Sequence, residues 1–396
     1  MLIIILAILI ICCLELLTFL TVEHVRDKFQ WMITFRRDEN PEIDKEGLKK
    51  FIKHGYDSEL GWVRKPNTEH DEFGKNGKTK YHINSIGARC NPKHEKLKKL
   101  ISCYGDSFCF CRQNNDDETW EWFLSEYTKS NVLNFGVGNY GLDQSLLRLK
   151  GEYPKNKTKI VIMCVVPSTI VRIMCVWKHY NEFGNIFGFK PRFEIKNNKL
   201  VIIKNIIDSE DKFYKLEKYL KNIQEHDYFY KTKFKNEIIR FPYLLNFFKH
   251  PLRNFTLTYL VLSGQRQKAM MKIMEINLKL REKLYSNNDA INLFHMIIKE
   301  FVLYANKNNF KPVFLLIPQK DDVEYVSKVR DFYQDFITLI KKDLLTVDMT
   351  DYLKDRNDLD DLYSDDNKYG GHPSVTGNKY IAKILTDILN RQGYIK

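Results

Sequence analysis

Three short stretches, far apart in the chain, hold the residues whose types and spacing could do chemistry. Leu100-Ile101-Ser102-Cys103-Tyr104-Gly105-Asp106-Ser107-Phe108 reads as a short buried strand that breaks into a Gly-Asp-Ser turn, which leaves Ser107 at the strand's carboxyl end. In an open α/β sheet, ligands and reacting groups collect at that edge, and a helix starting beyond the turn offers N–H groups to an anion. A serine there is placed to be a nucleophile. Near the C-terminus, Tyr369-Gly370-Gly371-His372-Pro373-Ser374-Val375-Thr376-Gly377-Asn378 puts His372 in a glycine-rich turn. A helix with apolar positions Tyr380, Ile381, Ile384, Leu385, Ile388 and Leu389 follows it. Histidine is the proton acceptor that a serine hydroxyl needs near neutral pH. Between the two, Asn134-Phe135-Gly136-Val137-Gly138-Asn139-Tyr140-Gly141-Leu142-Asp143-Gln144 repeats apolar strand, glycine turn and helix. A lone Gly-Asp-Ser is an ordinary polar turn, so the inference rests on all three blocks.

Taken together, the blocks resemble those of the SGNH, or GDSL, hydrolase family. Asp57-Ser58-Glu59-Leu60-Gly61-Trp62 and Ile83-Asn84-Ser85-Ile86-Gly87-Ala88-Arg89 look like the lead-in of its membrane-anchored bacterial members. The resemblance implies a flavodoxin-like α/β fold and a serine ester hydrolase or O-acyltransferase working through an acyl-serine. It matches Ser107 to the nucleophile and His372 to the base. For the oxyanion hole it implies the N–H of Ser107, a second-block donor at Gly138 or Asn139, and a third-block asparagine. Pro167-Ser168-Thr169-Ile170 stands in that third place, where Thr169 offers a hydroxyl instead of an amide. The family spacing D-x-x-H would put an aspartate at Tyr369, so the acid that orients His372 must come from elsewhere. Asp366, nearer to His372 than Asp365, is the expected acid, and a Ser107–His372 dyad is the other reading. The implied substrate is an acylated carbohydrate or lipid of the cell envelope. The altered third block leaves a non-catalytic glycan-binding or assembly protein as the alternative.

Elements able to position these residues are legible around them. Leu100–Tyr104, Val132–Phe135, Ile160–Val166, Val313–Ile317 and Leu344–Val347 read as five strands, apolar without alternation, as in a parallel sheet covered on both faces. Trp120, Phe123, Leu124 and Tyr127 mark one helix after Ser107, and 270–284 and 289–306 mark two long ones. His295 falls on the apolar stripe of the last and reads as a core histidine. Arg192–Ile195 and Leu200–Ile203 flank Lys196-Asn197-Asn198-Lys199 as a β-hairpin. The aromatic and basic stretch from Phe213 to Phe248 is expected to pack an insertion, with a grip on sugar or acyl chain as the alternative. The expected organisation is a membrane anchor over 1–22, a juxtamembrane segment and cap over 23–97, and the α/β domain over 98–396 with an insertion at about 168–250.

Residues 2 to 22 are apolar apart from Glu15 and two threonines, long enough to cross about 30 Å of hydrocarbon. The run is too long for a signal-peptide core and no small-x-small cleavage site follows, although Glu15 would suit a buried helix better. Arg26, Lys28, Arg36 and Arg37 follow the span, which by charge alone faces the globular part inward; the resemblance implies that it faces outward. The globular part is expected to begin after Arg37 and to fold without residues 1–37. The net charge of +13 is spread along the chain with no basic arm and no zinc or helix-turn-helix spacing, so a lysine-rich solvated surface is expected and nucleic acid is not. Eight cysteines show no C-x-x-C pair and ten histidines are dispersed, so neither a metal nor a cofactor is expected.

Overall fold

The computed structural model describes residues 1–364 and 371–395, and divides them into two compact units. The second unit, formed by 54–173, 191–203 and 278–395, is built on five parallel strands. These are β1 (Lys99–Gly105), β2 (Asn131–Asn134), β3 (Ile160–Val165), β4 (Lys311–Leu316) and β5 (Leu345–Asp348). Their spatial order is β2-β1-β3-β4-β5, the doubly wound order expected from the sequence. Alternate residues of each strand face opposite layers. Ile101, Cys103, Ile162 and Leu315 join Trp120 and Leu124 of α2 (Trp120–Thr128) and Ile381, Leu385 and Leu389 of α6 (Val375–Arg391) in one core. On the other face lie α3 (Leu142–Glu152) and α5 (Asn288–Asn308), where Phe294 meets Phe314 with ring centroids 6.2 Å apart.

Local chemistry explains where these elements start and stop. Thr119 caps α2, Asn287 caps α5 and Ser374 caps α6, each accepting a first-turn N–H through its side chain. The hairpin Arg192–Lys196/Lys199–Ile203 forms as expected, with both turn asparagines at positive φ. His295 is half-buried and pairs with Asp343 at 2.5 Å, so its ring is satisfied at the edge of the core and not inside it.

The first unit comprises 1–53, 174–190 and 204–277. α1 (Leu2–Lys28) is exposed over its first turns, whereas Val22 and Val25 enter a core with Phe29, Met32, Ile239, Phe247, Leu257 and Val261. Arg26 pairs with buried Asp38, whose carbonyl accepts a hydrogen bond from His179 Nε2 at 2.7 Å. The expectation that the globular part folds without residues 1–37 is therefore corrected for the first unit, because Val22, Val25, Phe29 and Met32 are part of its apolar core. Of the aromatic stretch, Phe213, Phe229, Phe234 and Phe247 are buried, but within the first unit and not on the parallel sheet, the expected place for an insertion to pack, while Tyr214, Phe241 and Phe248 are exposed. Asp227 organises it, accepting from the N–H groups of Val176, Trp177 and Phe229 at 2.7 to 3.0 Å.

Candidate active site

β1 ends in a turn that only glycine at 105 allows, because a Cβ there would stand 1.9 Å from the Cys164 carbonyl oxygen. Asp106 then caps the short helix Ser107–Phe110. Its carboxylate accepts from Phe108 N–H at 2.9 Å, Val166 N–H at 3.1 Å and Arg172 Nη1 at 2.8 Å. Burial pushes this carboxyl up, and Arg172 and the two N–H groups oppose it. Asp106 thus ties β1, β3 and the helical turn together and fixes Ser107 on the sheet's carboxyl edge. A second clamp is Arg89, whose guanidinium pairs with Asp116 at 2.9 Å and donates to the carbonyls of Phe110, Cys111 and Asn114. Nothing in the sequence marks Arg89 for this task, because a buried arginine carries no periodic signal.

His372 comes to Ser107 from the far end of the chain. Its Nε2 lies 2.9 Å from Ser107 Oγ, its ring packs on Phe108 with centroids 4.7 Å apart, and its carbonyl accepts from Ser364 N–H at 2.7 Å. Nδ1 has no hydrogen-bond partner among the described residues. Asp365 and Asp366 lie outside those residues. Burial, then the positive charges of Arg112 and Arg172, press His372 down to about 3, so its imidazole is neutral at physiological pH. A neutral imidazole accepting from serine is the state a general base needs.

The second block also meets the serine. A Cβ on Gly138 would be 4.0 Å from both Ser107 Cβ and Arg64 Nη2, and Asn139 follows at φ +66°. Trp62 Nε1 donates to the Gly138 carbonyl at 2.9 Å, Tyr140 OH to the Trp62 carbonyl at 2.5 Å, and Gln144 Nε2 to the Leu60 carbonyl at 2.7 Å. The lead-in segment is therefore a brace for this turn. Thr169 keeps only its hydroxyl to offer. It is fully buried, its N–H is spent on the Val166 carbonyl at 2.9 Å, and its Oγ1 has no partner among the described residues.

No family model and no curated protein matches the sequence. Among solved structures, the chain is similar to a protein from Desulfitobacterium hafniense DCB-2 described as lipolytic and of the G-D-S-L family, at 14% identity and a TM-score of 0.36, over 74% of this chain and 100% of that one. It is similar also to the acetyl xylan esterase AlAXEase, at 10% identity and TM-score 0.36, over 73% and 99% of the two chains. A family two carbohydrate esterase from Clostridium thermocellum matches at 10% identity and TM-score 0.31, over 77% of this chain and 67% of that one.

Beneath the nucleophile turn sits a buried acid that the sequence did not single out. Glu121, on α2, accepts from Cys111 Sγ at 3.3 Å and faces Cys109, and burial pushes its carboxyl up to about 8. A carboxyl raised on folding holds its proton better in the folded chain. Stability is therefore full below about pH 4.5 and falls as pH rises from there toward 8. Glu121→Gln, neutral and of the same shape, is expected to raise the melting temperature at pH 9 by about 2 °C or more and to leave it unchanged at pH 4. Scanning calorimetry at the two pH values checks this. Cys109 is itself buried, and Cys90 is half-buried.

Proposed function

We propose that this chain is a serine ester hydrolase or O-acyltransferase, with Ser107 as nucleophile and His372 as general base. The observation that carries the reading is the 2.9 Å contact between Ser107 Oγ and a neutral, buried His372 at the carboxyl edge of the parallel sheet. Nε2 takes the hydroxyl proton as Oγ attacks the acyl carbon. The same proton passes to the departing alcohol, which leaves an acyl-serine. Water entering next completes hydrolysis, whereas a sugar hydroxyl completes transfer. The negative oxygen formed on attack is held by the N–H of Ser107 and a donor at Gly138 or Asn139.

Support for an acylated carbohydrate or lipid of the envelope as substrate comes from the exposed apolar helix α1, read as a single-pass anchor. The outward orientation of the globular part belongs to the same proposal. Thr169 favours a second reading, a non-catalytic binding or assembly protein, because a lost oxyanion donor costs about 2.7 to 4 kcal/mol in the transition state. A fluorophosphonate probe separates the two, since it needs an activated serine but no knowledge of the substrate. The wild-type protein is expected to be labelled at Ser107 and Ser107→Ala to stay unlabelled. A folded wild-type protein that resists the probe would favour the binder.

A further inference from the structure

The first unit carries an apolar surface that its own core does not use. α4 (Pro251–Leu262) buries Asn254, Leu257 and Val261, yet Leu252, Phe255, Tyr259 and Leu262 run along its other side at helical spacing and are exposed, Leu252 by 85% and Tyr259 by 66%. Phe241, Leu245 and Phe248, before, on and just after the short helix Tyr243–Phe247, extend the exposed surface, with Phe241 71% exposed. A helix with apolar residues on its exposed side as well as its buried side is not accounted for by its own core, and so large an exposed patch on a soluble protein marks an interaction site.

Three observations choose lipid as what covers it. The first is continuity: the patch adjoins α1, with the Phe19 and Tyr243 rings 5.0 Å apart and Val22 and Val25 sharing a core with Leu257 and Val261. The second is Glu15, the acidic residue within the apolar run. Its carboxylate accepts from Tyr243 N–H at 2.5 Å and Leu244 N–H at 3.3 Å. Water would satisfy all three groups separately; at the edge of hydrocarbon, pairing them is what makes each tolerable. The third is charge. Between Glu237, which pairs with Arg253 at 3.2 Å, and Glu275, which pairs with Lys272 at 2.7 Å, the segment holds no acidic residue and carries four further basic ones, Arg240, Lys249, Arg266 and Lys268. Anionic headgroups complement such a segment.

We propose that Phe241–Leu262 lies in the headgroup and upper acyl region of the bilayer that α1 enters, a second foothold on an anionic phospholipid surface. Lengths agree with this. From Leu2 to Phe19 the helix rises about 27 Å, close to the thickness of the hydrocarbon, so the contact with Tyr243 falls at the membrane boundary. Interfacial helices bury their apolar faces about 5–10 Å deep, which suits side chains the size of those on α4.

The proposal rests on α1 being a membrane anchor, and the test reads the two separately. The full chain, with Cys12, Cys13 and Cys90 replaced by serine, is placed in nanodiscs of phosphatidylcholine and phosphatidylglycerol. A fluorophore is attached in turn to Leu9→Cys, Leu252→Cys, Tyr259→Cys and, as an exposed site of the same unit, Lys221→Cys, and lipids bearing a nitroxide serve as quencher. Quenching at 9, 252 and 259 of at least about half the signal, with none at 221, is the expected result. Quenching at 9 alone overturns the second foothold and leaves the anchor standing. No quenching at any site overturns both. Self-quenching at 259 that grows with the number of chains per disc, without lipid quenching there, would mean that a second copy covers the patch.

Discussion

Ser107→Ala and His372→Ala are each expected to lower kcat on a short-chain aryl ester by at least about a thousandfold, and the double variant by no more than either alone. A nucleophile and its base act in one proton transfer, so removing one leaves nothing for the other to do. Ser107 has little part in the packing, its turn being held by Asp106, Arg89 and Gly105, so the serine variant is expected to melt as the wild type does. The histidine variant loses a ring that packs on Phe108 and is checked by circular dichroism before its rate is interpreted. A wild-type rate that survived in either folded variant would end the acyl-serine mechanism.

The same histidine sets the expected pH dependence. A free imidazole titrates near 6.5, whereas His372 is pressed to about 3 by burial and by Arg112 and Arg172. The acid limb of kcat/KM is thus expected well below pH 6.5, since the base stays neutral until far lower pH. Stability is affected in that window although catalysis is not. Below about 6.5 the unfolded chain binds a proton that the folded chain refuses, so the histidine's burial costs stability increasingly as pH falls toward 3.

The five strands were legible because each is a short apolar run ended by glycine, proline or a turn, and fully buried strands cannot be mistaken for amphipathic helices. The serine and histidine were legible for a related reason: both sit where strand or turn gives way to helix, and glycine marks such places. What sequence could not show is coupling across the chain. Arg89 reaching the carbonyls behind Ser107, Trp62 bracing Gly138, and Glu121 lying under the cysteines are all single side chains with no periodicity. The first unit was harder still. Its core draws on Val22, Ile239 and Leu257 together, and a linear reading that cuts the chain at 22, 97, 168 and 250 has no means of joining those segments. Glu15 illustrates the same limit, since in sequence it weakens an apolar span and in the structure it holds the N–H groups of Tyr243 and Leu244.

Asp366→Asn is expected to cost at least about a hundredfold in kcat with little change in KM, and Asp365→Asn much less. The argument begins with Nδ1 of His372, a buried donor or acceptor with no hydrogen-bond partner among the described residues. An imidazole that is to take a proton at Nε2 must carry its own at Nδ1, and a carboxylate there fixes that tautomer and steadies the imidazolium as it forms. Tyr369 stands at the family's spacing for that acid, and of the two aspartates upstream Asp366 is the nearer in sequence. Asparagine keeps the size of the side chain but supplies no negative charge, so the loss falls on the transition state and on kcat. A second signature accompanies it. An ionised Asp366 would hold the histidine above the value that burial and the two arginines impose, so the acid limb of kcat/KM is expected to move to lower pH in the asparagine variant. Equal and near-wild-type rates for both variants, with an unmoved acid limb, would establish Ser107 and His372 as a dyad. Burial and Phe108 would then be what holds the ring in place.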